Sequence, residues 1–233
     1  MRKGHLSQRR LAGIAVACSA LLVVACGGTE QPANAQEPTT SPTAESQGTD
    51  VVLVDLDDPG EVATWTTVND PVMGGVSTSQ VAFGDGGLVF SGTISLANNG
   101  GFASARSPQD PTLGRLAAGA TSLRVRGQGD GKTYVLEAGI EGQPWSYIQR
   151  FTTDAGVQRT YELPVTGFQP VGMRFDPAPD APRTMDPSLI NEISVYILDK
   201  QQGPFEITLS GVDATFGGQS WSESTFSAAV GWC

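Results

Sequence analysis

Asn69-Asp70-Pro71-Val72-Met73-Gly74-Gly75-Val76-Ser77 and Leu96-Ala97-Asn98-Asn99-Gly100-Gly101-Phe102-Ala103-Ser104-Ala105-Arg106 are two versions of one device. Each sets a polar Asn and a Gly-Gly pair against apolar residues, where a turn meets a strand. A Gly-Gly pair there signals backbone that a side chain would obstruct, or backbone closely approached by another group. One such device is ordinary punctuation; two within about forty residues point to a built surface. Asn69, Asp70, Gly74, Gly75, Asn98, Asn99, Gly100 and Gly101 are therefore candidate ligand- or partner-binding residues on one rim. Two readings stay open. Amides and carboxylates beside glycine backbone hydrogen-bond a sugar or a peptide main chain. The same residues also close turns on their own backbone and supply positive φ angles.

On either side of these motifs the chain reads as short apolar stretches separated by Gly, Asp, Asn or Pro. They include Val51–Leu56, Leu88–Leu96, Ser122–Arg126, Thr133–Ile140, Trp145–Thr152, Glu192–Leu198 and Phe205–Val212. Leu123 and Val125 alternate with Arg124 and Arg126, and Phe205, Ile207 and Leu209 with Glu206, Thr208 and Ser210. Period two is the pattern of half-buried antiparallel strands. Only 109–121 and Pro187 to Asn191 offer a short helix or helical turn. The expectation is one all-β domain over 51–217, a jelly-roll β-sandwich.

The run from Trp65 through VNDPVMGGVSTS, then VFSGTISLANNGGFASARS, resembles the complex I intermediate-associated protein 30 (CIA30) family. Leu123 to Tyr134 is similar to that family's "RVRGDGR-Y" segment with an extra Gln-Gly pair. Asp199-Lys200-Gln201-Gln202-Gly203-Pro204-Phe205 is similar to its "DK-GPF" turn. The resemblance covers roughly 55 to 213. It implies a galactose-binding-domain-like jelly roll. It also implies the binding and chaperone roles of assembly factors for NADH:ubiquinone oxidoreductase and of relatives linked to photosystem biogenesis.

The N-terminus carries Arg2, Lys3, Arg9 and Arg10, then an apolar stretch from Leu11 to Ala25. At about fifteen residues it has the proportions of a signal peptide, not a membrane span. It ends on Val23-Val24-Ala25-Cys26, which resembles a lipobox, so 1–25 is expected to be a lipoprotein signal and Cys26 the lipidation site. Residues 26–50, rich in Pro, Thr, Ser, Gln and Glu, read as a disordered tether. These features predict a lipid-anchored protein on the extracytoplasmic face of the cell membrane. The tail 218–233 has no assigned element.

Cleavage would take Arg2, Lys3, Arg9 and Arg10 from the 14 Lys and Arg, leaving ten against 24 Asp and Glu, a net charge of 10 − 24, about −14. That balance argues against nucleic acid as a partner and against an electrostatic grip on anionic lipid. The single His, His5, leaves with the signal, and Cys233 is the one thiol left. Histidine acid–base chemistry, Ser-His-Asp and Cys-His devices and His-ligated zinc are excluded. No catalytic residue and no cofactor is expected. A monomer is expected, with a Cys233-linked dimer as the alternative.

Among the remaining cations, Arg106 and Arg126 join the candidate binding residues; one of Arg106, Arg124 and Arg126 is expected to pair with Asp70. Trp65, Trp145, Tyr134 and Tyr147 are candidates for a sugar-stacking platform. Asp55, Asp57 and Asp213 are candidate oxygen ligands for a structural calcium. The leading reading is a lipid-anchored, non-catalytic assembly module acting on a protein of a membrane or envelope complex. A carbohydrate-binding module for envelope glycans is the alternative. A hydrolase using Asp70 with a second carboxylate is the third reading.

Overall fold

The computed structural model describes residues 49–217. The signal, Cys26, nearly all of the tether, the 218–233 tail and Cys233 lie outside the described residues. Among the described residues no helix is long and apolar enough to cross a membrane.

The strands are β1 (Thr49–Asp55), β2 (Thr66–Asn69), β3 (Thr78–Gly84), β4 (Gly87–Ile94), β5 (Ala103–Arg106), β6 (Ser122–Gln128), β7 (Thr133–Ile140), β8 (Trp145–Thr152), β9 (Gln158–Pro164), β10 (Gln169–Gly172), β11 (Ile190–Ile197) and β12 (Gly203–Phe216). Two short helices, α1 (Pro59–Val62) and α2 (Thr112–Ala117), interrupt them, the second inside the expected segment 109–121. One sheet runs β3-β4-β12-β6-β9, with β1 also on β12; the other runs β10-β8-β7-β11-β5-β2. Every pairing between strands is antiparallel. This is the expected all-β jelly-roll sandwich.

β12 organises the first sheet. Phe205, Ile207 and Leu209 point inward, and a bulge between Leu209 and Gly211 shifts the phase so that Val212 and Ala214 are also buried. A bulge of this kind adds one residue and re-aims those that follow. It allows the strand to pair with β4 along its first half and β1 along its second. The core between the sheets is made by Leu88, Phe90, Leu123, Ile207 and Leu209 against Tyr134, Leu136, Ile193 and Ile197. Phe90 and Phe205 meet edge to face at 4.9 Å.

The second sheet is also partly covered on its outer face. Val135, Ile148, Val171, Tyr196 and Leu198 form a separate apolar cluster there, with Phe102 and Phe175 packed on it. Strand β10, which has no counterpart among the strands expected from sequence, belongs to this sheet. It contains Pro170, which lacks an N–H and is tolerated because β10 is an edge strand paired only with β8.

Candidate functional site

Asp70 follows the last residue of β2 and is fully buried. Its Oδ1 accepts from Ser77 N at 2.8 Å, and its Oδ2 accepts from Ser77 Oγ. The same Oδ2 accepts from Gly101 N at 2.6 Å and Phe102 N at 3.3 Å. One carboxylate thus ties the two Gly-Gly motifs together. Burial pushes the Asp70 carboxyl up, but the hydrogen bonds from Ser77, Gly101 and Phe102 outweigh that and hold it below the usual carboxylate range.

The glycines follow from this. A Cβ on Gly75 would overlap the Asp70 carboxylate, and one on Gly100 would lie 2.6 Å from Asp70 Oδ2. Gly74 closes the turn at φ +90°, a left-handed conformation that other residues rarely adopt. Asn98 and Asn99 take the same region, at φ +56° and +60°, and both are exposed. Asn69 is engaged internally: its side-chain nitrogen donates to Ser79 Oγ at 2.7 Å and to Val68 O at 3.1 Å, and its side-chain oxygen accepts from Ser79 N at 3.1 Å. Turn-closing hydrogen bonds and positive φ angles therefore account for much of the two motifs.

What the knot presents to solvent was not read from the sequence. Val72, Met73 and Val76 are exposed by 72, 59 and 50%, in the turn that Asp70 anchors. They lie within five residues of one another, and Asp70 ties their turn to the loop that carries the exposed Asn98 and Asn99.

The expected pairing of Asp70 with an arginine does not occur. Strand register sends the arginines elsewhere. Arg126 lies opposite Gly211 on β12 and pairs with Asp213 at 3.0 Å. Arg124 pairs with Asp50 at 2.8 Å. Arg106, on β5, lies over the Tyr196 ring at 5.3 Å from its centroid.

Of the calcium candidates, Asp213 is thus bound to Arg126, and Asp55 accepts from Asp57 N at 3.2 Å. No group of three or more His, Cys, Asp or Glu side chains is placed to hold a metal ion among the described residues. Burial raises the Asp213 carboxyl, against the opposing pull of Arg126.

A concave site lies on the outer face of the second sheet. Its floor is set by register: Arg106 faces Ser194, Ser194 faces Glu137, and one row along, Glu192 faces Gly139, which faces Ser146. The groove above has a volume of about 370 Å³ and is walled by Trp145, Asn191 and Phe175. Ser146 Oγ donates to Glu137 Oε1 at 2.6 Å. Burial first, then the Glu137 charge, pushes the Tyr196 hydroxyl far above its ordinary range.

Over residues 54–209, more than half of the 233-residue chain, the sequence matches the family model described as complex I intermediate-associated protein 30 (CIA30). The chain belongs to this family. None of the curated proteins matches it in sequence. Among solved structures it is similar to the family 11 carbohydrate-binding module of a cellulosomal cellulase of Clostridium thermocellum, at TM-score 0.50 and 15% identity over 74% of this chain and 96% of that one. A complex of the Clostridium thermocellum family 11 module with a beta-1,3-1,4-mixed-linked tetrasaccharide gives TM-score 0.47 and 16% identity, over 70% and 95% of the two chains. A family 29 carbohydrate-binding module gives TM-score 0.42 and 12% identity, over 72% and 93%. At these identities the first likeness establishes the jelly-roll fold of this CIA30 domain.

The four aromatic candidates separate clearly. Trp65, Tyr134 and Tyr147 are buried, whereas Trp145 stands partly exposed in the groove wall. Glu137, Glu192 and Asn191 are not among the residues expected from sequence. Glu137 alternates with apolar neighbours in TYVLEAGI, whereas Asn191 and Glu192 are consecutive in INEISVYI, where the pairing with β7 shifts register between Ile190 and Glu192.

Proposed function

We propose that this CIA30 protein is a non-catalytic binding module that docks on a protein subunit of a membrane or envelope complex. In this reading lipid on Cys26 holds it at the extracytoplasmic face of the cell membrane, and the ridge of Val72, Met73 and Val76 makes the contact. The observation that carries the reading is that three large apolar side chains are exposed on a turn whose base is a fully buried, multiply hydrogen-bonded carboxylate. Exposed apolar groups normally cost little individually, but a rigid cluster of them loses little entropy on binding. Family membership supports a protein partner. The acidic chain disfavours anionic lipid as the occupant of the ridge.

The test places a photo-crosslinking residue at position 73 of the full-length protein in its native membrane, with mass spectrometry of the adducts. Adducts to defined subunits of one membrane complex are expected, reduced about tenfold by Val72→Asp. Adducts only to lipid, or a yield unchanged by Val72→Asp, would overturn the reading.

A further inference from the structure

The groove on the second sheet is a separate site from the ridge, and its residues specify a different ligand. We infer that it binds a neutral, linear glycan chain, with Trp145 as the stacking surface and Arg106, Glu137 and Glu192 as the hydroxyl-reading groups.

Depth comes from one missing side chain. Gly139 sits in the floor between Glu192 and Ser146, and a Cβ there would come within 3.0 Å of the Glu192 Cβ. Length comes from Trp145. A second cavity of about 280 Å³ shares Trp145, Ile140 and Gln143 with the groove. The two hollows thus adjoin at Trp145, whose ring also packs against the core between the sheets. Pockets of this combined scale bind ligands larger than a single ring.

The polar groups are fixed before any ligand arrives. Glu137 is held by Ser146 Oγ at 2.6 Å. Glu192 accepts from Ser194 Oγ at 3.1 Å. Arg106 Nε donates to Ser104 Oγ at 3.2 Å while its guanidinium lies over Tyr196. Arg106 enters no ion pair among the described residues, so its terminal N–H groups remain available to the groove. Preorganisation of this kind removes much of the ordering cost of binding.

The chemistry then selects the ligand. Two carboxylates accept and one guanidinium donates, which matches hydroxyls that both donate and accept. Two negative charges against one positive charge disfavour phosphates and acidic glycans. A polar floor disfavours a purely apolar ligand. The flat, amphipathic indole suits the apolar face of a sugar ring.

The experiment uses the full-length protein in a zwitterionic detergent that contains no sugar. It is titrated with neutral hexasaccharides (malto-, cello-, laminari-, manno- and chitohexaose), their monosaccharides and an acidic hexagalacturonate, by calorimetry and tryptophan fluorescence. At least one neutral hexaose is expected to bind with a Kd below about 1 mM, at least about tenfold tighter than its monosaccharide and than hexagalacturonate. Trp145→Ala and Arg106→Gln should each weaken it by about tenfold or more, while Met73→Asp leaves it unchanged. Arg106→Gln keeps the proposal testable if Trp145→Ala fails to fold. No binding by any neutral hexaose at about 10 mM, or equal affinity in the parent and Arg106→Gln, would overturn it. Because the ridge and groove variants differ, the glycan site can fail while the docking reading stands, and the reverse.

Discussion

Asp70 Oδ2 accepts the Gly101 backbone N–H at 2.6 Å across 31 residues of chain, so the second glycine motif is held in place by the first. The carboxylate has no arginine or lysine partner among the described residues and relies on backbone and hydroxyl donors instead. Replacing it strands three backbone N–H groups at once, that of buried Ser77 and those of half-buried Gly101 and Phe102. Asp70→Ala is expected to cost about 3 kcal/mol or more, since each unsatisfied buried donor costs about 1–3 kcal/mol. Urea unfolding of the parent and the variant reads the difference directly. An unchanged midpoint would show that the knot is dispensable.

The same carboxylate gives a pH signature. Its folded pKa lies below the ordinary value, so the unfolded chain binds the proton first as pH falls. Its stabilisation is therefore complete above about pH 4 and is lost as pH drops through the lower folded value. Asp70→Asn lacks this titration. The stability gap between parent and Asp70→Asn should be widest near neutrality and narrow below about pH 4. A gap independent of pH would mean that the charge of Asp70 plays no part.

Glycine at positions 75 and 100 is required by space, not by a positive φ. A methyl group at Gly75 overlaps the Asp70 side chain, and at Gly100 it also meets Ser95 O at 2.8 Å. Neither neighbour is the free end of a flexible chain. Gly75→Ala and Gly100→Ala should each destabilise by about 1–3 kcal/mol, the usual cost of overpacking. Gly74→Ala meets nothing within 4 Å and is penalised only by its φ of +90°, so it should cost less, about 1 kcal/mol. Thermal unfolding of the three variants gives the order, and a Gly74 variant that is the worst of them would reverse this assignment.

The sandwich was legible because period two survives in nearly every strand. Thr133–Ile140 and Trp145–Thr152 are found as read. β12 runs on to Phe216, beyond the expected Phe205–Val212, because the bulge at Leu209/Gly211 breaks the alternation there. The two glycine motifs were visible, but not that Asp70 joins them, since that contact depends on how β2 and β5 pair. The arginines were misplaced for the same reason: only the register of β6 against β12 puts Arg126 beside Asp213. Glu137 and Glu192 were visible as outward residues on separate strands. Their convergence on one groove depends on β7 lying next to β11.

The tyrosines offer a test of the core in alkaline solution. All four, Tyr134, Tyr147, Tyr161 and Tyr196, are raised above the ordinary phenol value, with burial the largest cause in each. Tyr134 is held further by its hydrogen bond to Asp130 at 3.1 Å and by that residue's charge. The folded state keeps protons that the unfolded chain releases from about pH 10 upward, so stability falls as pH rises past that point. Absorbance at the tyrosinate wavelength should show no ionisation centred on the ordinary value while the protein stays folded. A step there accounting for one of the four tyrosines would mean that one of these rings is far more open to water.

Calcium can be tested through Asp213. Its carboxylate is 3.0 Å from Arg126 Nε, so a divalent cation at that oxygen would face a guanidinium at close range. Like charges so placed repel strongly where burial limits screening. Calcium and chelator should therefore leave the unfolding temperature of the full-length protein the same to within about 1 °C, equivalent to a few tenths of a kcal/mol for a domain of this size. Arg126→Gln sharpens the experiment, because it leaves Asp213 buried without its partner and should cost about 3 kcal/mol or more. If calcium raises the unfolding temperature of the parent by several degrees and Asp213→Asn abolishes that rise, Asp213 is a ligand and the Arg126 pair must open to admit the ion.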